Sequence, residues 1–332
     1  MRVRVKASST IKPAEPTPKH RLWVSDLDLI QPVTHAPTVY FYKANTSNTT
    51  TTFFSPYIMK NSLSQTLVHF YPLTGRLLYD ESRRLEIDCN EAGIIFYEAE
   101  SDVEIDDFGD FKPTPELRNL APHIDYTTDI TEWPLLLVQL TVFRCGGISL
   151  GLATSHTAMD GQSASHFVST WAKIARSGTS NVCVPPFMDR TLLRARDPPV
   201  EPAFNHEEFK PPPRLLDQEG GGGGEEERKE ETVVKMFKFN AQQSGSHTLG
   251  CTQRGRFYGS PNLVLTSWLG MSFYDADFGW GPPMYMGPAA LGFEGKGFIL
   301  PTKEDDGGMI VALRLHSKHM ENLKELLSDH AH

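Results

Sequence analysis

A chain of 332 residues with 39% hydrophobic, 10% aromatic and 22% charged positions has the make-up of a globular protein and excludes the disordered and collagen-like classes. Its 32 Lys and Arg against 41 Asp and Glu give a net charge of -9, which argues against a nucleic-acid or anionic-membrane surface and leaves room for a cationic partner. No stretch approaches the roughly 18 apolar residues that span a bilayer, and Met1 to Pro13 has no apolar leader core, so a cytoplasmic protein is expected.

In chain order, Arg2 to Ala7 alternates with period two and predicts a short strand that sets Val3 and Val5 on one face. Lys12 to Pro18 carries three prolines and reads as extended chain. Ser55-Pro56, a hydroxyl cap before proline at the first helical position, predicts a helix with Ile58, Leu63, Leu67 and Phe70 on one side, ended by Pro72 and Gly75. Leu85 to Cys89 and Ile94 to Ala99 read as strands. Leu135 to Phe143 and Ile148 to Ala153 read as a hairpin turned at Cys145-Gly146-Gly147. Phe167, Val168, Trp171 and Ile174 recur at helical spacing after Gly161, which puts Ser155 to Gly161 at a strand-to-helix junction.

From Asp189 to Glu231 the composition turns to prolines, then five glycines at 220–224, then Glu225, Glu226 and Glu227. Stiff, flexible and self-repelling segments in succession cannot fold alone, so residues 189–231 read as a linker between a first domain, 1–188, and a second, 232–332. The second domain opens with a strand from Val233 to Phe239 and closes with a strand from Met309 to Leu315 and a helix from Ser317 to Leu327. Cys89, Cys145, Cys183 and Cys251 are scattered without zinc spacing and read as free thiols.

Few motifs carry chemistry. The glycine run lacks the Lys-Ser/Thr ending of a phosphate cradle and runs into three glutamates. Asp277-Phe278-Gly279 matches the kinase magnesium tripeptide, but no His-Arg-Asp loop precedes it. His156 and Asp160, at the end of a buried strand, admit three readings. A metal site lacks further ligands at supporting spacing, a histidine satisfied by local hydrogen bonds is the bland alternative, and a general base would use an imidazole that titrates near neutrality.

The segment His156-Thr157-Ala158-Met159-Asp160-Gly161, taken with Asp277-Phe278-Gly279-Trp280-Gly281, resembles the signature pair of the plant BAHD acyl-CoA-dependent acyltransferases. Leu22 to Asp28, Tyr71 to Arg76 and Pro261 through Met320 extend the resemblance, whose nearest flavour is the hydroxycinnamoyl transferases, those using spermidine above all. The resemblance implies an α/β, two-domain, chloramphenicol-acetyltransferase-like architecture with mixed sheets and an interdomain channel. It implies His156 as the base, Asp160 turned away to hold the loop, and Asp277, Gly279 and Gly281 as an architectural element. By the same resemblance Thr38, Tyr40 and Thr266 are channel residues that contact the substrate, and the Trp280 indole is a donor to the oxyanion; for each of the four, taken singly, plain packing is the competing reading. Neither metal nor cofactor is implied, acyl-CoA being a co-substrate, and the expected protein is a monomer with an acyl-CoA and a small acceptor as partners, without nucleic acid or membrane.

Acid-using relatives carry an arginine shortly after their Thr-Ser-Trp element, whereas Leu269-Gly270-Met271 follows Thr266-Ser267-Trp268 here. An unpaired buried carboxylate is costly, so an amine or alcohol acceptor is expected. The chain is also short for this family, with the loss at Asn240 to Tyr258 and much of the second domain missing. The alternative to an active enzyme is therefore a weak or silent relative whose second-domain sheet lacks its central strands and keeps two clear strands around Thr266 to Gly281.

Overall fold

The computed structural model describes residues 1–31, 33–44, 54–180, 184–201, 203, 232–239, 263–303 and 307–329. In chain order these form β1 (Val3–Ile11), β2 (Arg21–Trp23), α1 (Asp26–Leu29), β3 (His35–Tyr42), α2 (Pro56–His69), β4 (Arg76–Tyr79), β5 (Leu85–Asp88) and β6 (Ile94–Ser101). There follow α3 (Pro115–Arg118), β7 (Leu136–Val142), β8 (Ile148–Ser155), α4 (Gly161–Ser177), β9 (Thr232–Phe239), β10 (Val264–Ser267), β11 (Tyr285–Pro288), β12 (Lys296–Pro301), β13 (Met309–His316) and α5 (Ser317–Asp329). Contacts group them into two compact units, residues 1–197 with 270–290 and residues 198–269 with 291–332.

The first unit is built on a six-stranded sheet of order β1-β6-β7-β8-β3-β11 and also holds a three-stranded sheet β2-β5-β4, in which β4 and β5 form a hairpin and β2 pairs with the other edge of β5. Every residue of β8, and all of β7 except Val142, is buried, which is why these strands read as near-continuous apolar runs and not as alternation. β6 pairs with β7 in parallel, and the other pairs of this sheet are antiparallel. The first strand is longer than its Arg2 to Ala7 reading, and Val5 is 51% exposed instead of facing a core. It lies at the sheet edge, where Arg4 and Lys6 both pair with Glu100 and charge blunts the open backbone.

Pro56 begins α2 after Ser55 in extended conformation, and Met59, Ser62, Leu63, Thr66 and Leu67 form its buried face. Ile58, expected on that face, is 36% exposed, because the stripe runs 59, 63, 67 and 62, 66 at steps of three and four. The helix stops at His69. Phe70 caps it, and Pro72 sits in a short 3-10 turn, Tyr71–Thr74. Across from α2, Trp171 of α4 is fully buried and its indole N–H donates to Met59 O at 3.2 Å and Ser62 Oγ at 3.0 Å.

The second unit holds a four-stranded sheet of order β10-β12-β13-β9, with β10 and β12 parallel and the other pairs antiparallel. Val311, Leu313 and Met320 form its core, with Val233, Phe237, Leu265, Ile299 and Leu323 packed against them. Among the described residues β12 and β13 are the inner strands of this sheet, each paired along both sides. Between Thr266 and Gly281 only β10 is a strand, and the next, β11, joins the first unit's sheet by pairing Met286 with Tyr40 and Pro288 with Thr38. The stretch Asn240 to Tyr258, where the sequence reading places the loss, lies outside the described residues, as do residues 204–231 of the predicted linker. The start of that linker is tied down: residues 189–197 belong to the first unit, and Ala195 N–H donates to Asp26 Oδ2 at 2.6 Å. Cys89 and Cys145 are free, Cys89 being buried with its thiol pushed up to about 11, while Cys183 and Cys251 lie outside the described residues.

Candidate active site

His156 is the first residue beyond β8. Its backbone N–H donates to Thr34 O at 3.0 Å, which extends the pairing of β8 with β3 by one step and fixes where the strand lets go. The following turn closes on Ser155, whose carbonyl accepts from Ala158 N–H at 3.0 Å and Met159 N–H at 3.1 Å. Thr157, Ala158 and Met159 are buried, while His156 is partly exposed. Its Nδ1 atom is shielded from solvent and has no hydrogen-bond partner among the described residues.

Asp160 does not orient that ring. It is exposed and serves as the N-cap of α4, accepting from Ser163 N–H at 2.8 Å, and no arginine pairs with it among the described residues. An Asp cap satisfies one of the orphan amides and places negative charge on the positive end of the helix. The residues that do hold the turn were not legible as such. Arg190, from a stretch read as linker, donates from Nη1 to Thr157 O at 3.0 Å and from Nη2 to Ala158 O at 2.5 Å, and its guanidinium pairs with Asp28 at 3.1 Å. The only local signal was Asp189-Arg190-Thr191, where Asp189 caps a 3-10 turn through Thr191 N–H at 3.0 Å.

At its other end α4 meets the second motif. Arg176, in the last turn, donates to Asp277 Oδ2 at 2.8 Å, and Asp277 Oδ1 accepts from Gly279 N–H at 2.8 Å and Gly281 N–H at 2.9 Å. Gly279 and Gly281 have φ of +98° and +88°, a region open to glycine and strained for other residues, so one carboxylate and two glycines fold this segment into a tight loop. Phe278 and Trp280 stack on each other at 5.3 Å, Trp171 meets Phe278 edge-on at 5.0 Å, and Tyr42 meets Trp280 edge-on at 5.2 Å. Trp280 thus stands in an aromatic cluster.

Thr38 and Tyr40 alternate along β3 with Tyr42 on one face of the strand. Thr38 is half-buried and Tyr40 fully buried, which raises the Tyr40 phenol far above its usual range, and Tyr42 reaches the second motif by donating to Ala276 O at 2.8 Å. His156, Asp160, Thr38, Tyr40, Asp277, Gly279, Trp280 and Gly281 therefore all belong to the first unit, although the second motif lies some hundred positions further along the chain than the first. Thr266 belongs to the second unit, on β10, where its Oγ1 accepts from the half-buried Lys296 ammonium at 2.8 Å. Burial lowers the Lys296 ammonium from its usual value. Among the described residues no group of three or more His, Cys, Asp or Glu side chains converges as metal ligands would, and no helix is long and apolar enough to cross a membrane.

Comparison with known proteins places this geometry. The model of the transferase family matches residues 1–244 and 224–330. Shikimate O-hydroxycinnamoyltransferase of Nicotiana tabacum is 35% identical over 441 aligned positions that cover 99% of this chain and 100% of the relative. The hydroxycinnamoyl-CoA:5-hydroxyanthranilate N-hydroxycinnamoyltransferase of Avena sativa is 31% identical, covering 99% and 100%. Both alignments run well beyond 332 positions, so the relatives carry residues inside the aligned span that this chain lacks. Among solved structures, vinorine synthase superposes with a TM-score of 0.70 at 20% identity, covering 96% of each chain. F. graminearum TRI101, complexed with coenzyme A and deoxynivalenol, superposes with a TM-score of 0.60 at 14% identity, covering 92% of this chain and 97% of its own. These two likenesses show the chloramphenicol-acetyltransferase-like α/β fold, and the family match, which takes in both signature motifs, shows that the chain belongs to the transferase family of BAHD acyl-CoA-dependent acyltransferases.

Proposed function

We propose that this acyltransferase moves a hydroxycinnamoyl group from its CoA thioester to an amine such as spermidine, with His156 as general base and without a covalent acyl-enzyme. The observation that carries the reading is the setting of His156, partly open at the end of β8 in a turn held by Thr34, Ser155 and Arg190. In the step proposed, the amine nitrogen attacks the thioester carbonyl carbon and the imidazole takes its proton as the C–N bond forms. The tetrahedral alkoxide then collapses, the C–S bond breaks, and the proton returns to the CoA thiolate. A base so placed contributes roughly 10²- to 10⁴-fold. Asp160 acts through the α4 cap, Thr38 and Tyr40 as acceptor contacts, and Trp280 as an oxyanion donor or as packing.

The amine assignment is supported by Leu269-Gly270-Met271, which offers no guanidinium to an acidic acceptor. A second reading, O-transfer to an alcohol, is favoured by the tobacco relative, which is a shikimate O-hydroxycinnamoyltransferase. The reading includes a monomeric cytoplasmic enzyme without a further cofactor, its net charge of -9 weighing against nucleic acid as a partner. The test is release of free CoA from p-coumaroyl-CoA in the presence of spermidine, a neutral alcohol or shikimate. Release with spermidine is expected. Release with shikimate alone overturns the acceptor assignment, and release with none of them makes the chain a silent relative.

A further inference from the structure

We infer that Arg190 is a positioning residue for His156, the C-terminal anchor of the turn that aims the imidazole. This rests on the proposed role of His156 and adds to it the question of what fixes the ring. In many histidine bases a carboxylate or carbonyl bonded to Nδ1 sets the tautomer and the orientation. Here Nδ1 is shielded without a partner among the described residues, and the nearby carboxylate of Asp160 is committed to the helix cap. What the described hydrogen bonds fix around the ring is the backbone that carries it.

That backbone is pinned on both sides. On the N-terminal side the His156 N–H is held by Thr34 O at 3.0 Å. On the C-terminal side the carbonyls of Thr157 and Ala158 accept no backbone N–H among the described residues, and both are taken by the two terminal nitrogens of Arg190. A planar guanidinium bonded to two successive carbonyls fixes two peptide planes at once through a rigid fork, whereas an ammonium would hold them from a rotatable point charge. The arginine is itself anchored: Asp28 Oδ2 accepts from its Nη1 at 3.1 Å and from Ser25 Oγ at 2.7 Å, and Ser25 caps α1 by accepting from Asp28 N–H at 3.1 Å. The chain around Arg190 is strapped down as well, with Arg194 and Arg84 on the two cation-binding contacts of Trp23 at 5.2 and 4.5 Å, and with Ala195 N–H and Arg84 both bonded to Asp26. With side-chain exposures of 20% and 24%, Arg190 and Asp28 form a part-buried pair, which keeps more of its strength than a surface one.

The test uses the whole chain with Arg190→Gln and Arg190→Lys and two readouts: steady-state kinetics with p-coumaroyl-CoA, and hydrogen exchange of peptides covering 156–160. Misplacing a base by about 1 Å costs up to about 10²-fold, so Arg190→Gln is expected to lower kcat about 10- to 100-fold with KM for the acyl-CoA within about twofold. Arg190→Lys should recover part of the loss, and exchange at 156–160 should quicken in the glutamine variant while β7 is unchanged. A kcat within twofold of the parent, or a lowered melting temperature with kcat and loop exchange intact, overturns the proposal and leaves Arg190 a structural strut. If the parent shows no turnover, the functional reading fails separately and loop exchange alone decides whether Arg190 pins the turn. Should Arg190→Gln not fold, Asp28→Asn, which removes the arginine's charged anchor and leaves its carbonyl bonds, is read by the same two criteria.

Discussion

Replacing Asp277 tests how the second motif is held. Its Oδ1 accepts from the backbone N–H groups of Gly279 and Gly281, and its Oδ2 from Arg176. With the carboxylate 29% exposed and the guanidinium 49% exposed, the ion pair is largely solvent-screened and contributes about 0.5 kcal/mol. The two backbone bonds, made to a charged acceptor at a part-shielded position, contribute about 1 kcal/mol each. Asp277→Ala is therefore expected to destabilise by about 2 to 3 kcal/mol, Asp277→Asn, which keeps one oxygen toward the glycines, by about 1 kcal/mol, and Arg176→Gln by about 0.5 kcal/mol. Urea unfolding followed by tryptophan fluorescence reads all three, since Trp280 and Trp171 both lie in the cluster beside the loop. If Asp277→Ala costs no more than Arg176→Gln, the backbone bonds hold nothing and the loop is set by its aromatic packing.

Gly281→Ala should cost about 1 to 2 kcal/mol from backbone strain alone, since a methyl there meets no atom within 4 Å while φ is +88°; Gly292→Ala, equally roomy and without positive φ, is the control and should be near neutral in the same denaturation assay. At Asp160, alanine should cost about 1 kcal/mol and asparagine almost nothing, because asparagine caps a helix as well as aspartate does; equal losses would show that the carboxylate's charge matters beyond the cap. His35 gives a pH dependence: burial holds its imidazole below the ordinary value near 6.5, while its Nε2–H donates to Pro134 O. Between the two pKa values the unfolded chain binds the extra proton, so stability is full above about pH 6.5 and falls as the pH is lowered through that window. His35→Gln should flatten this acid limb of the melting temperature, and an unchanged slope would exclude His35 as its source.

The apolar runs of β7 and β8, the proline-led start of α2 and the helical spacing of α4 were legible because burial imposes a period on local sequence. The two motifs were legible as a pair only through resemblance, since nothing local in Asp277 to Gly281 announces that its aspartate accepts from two glycine amides and from Arg176. β2, β3, β4, β11 and β12 were missed, β11 because four residues ending in Pro288 carry too little pattern, and because its partner β3 is far away in the chain. β12 has Lys296 and Gly297 where a strand would show apolar or branched residues, and burial of Gly297 and Leu300 comes from its place inside the sheet. Arg190 was hidden for another reason. Proline-rich composition on its C-terminal side reads as linker, while what fixes the arginine is Asp28, far off in sequence, and two carbonyls that carry no sequence signal at all.

Single-turnover transfer from p-coumaroyl-CoA to spermidine by the 332-residue chain and its His156→Ala variant, each checked for an unchanged melting transition, tests the proposed chemistry most directly. Turnover by the parent and a loss of about 10²- to 10⁴-fold in the variant are expected, without any acyl group bound covalently to either protein. Equal rates in a folded variant, or an acyl-enzyme trapped on the parent, would contradict the proposed chemistry.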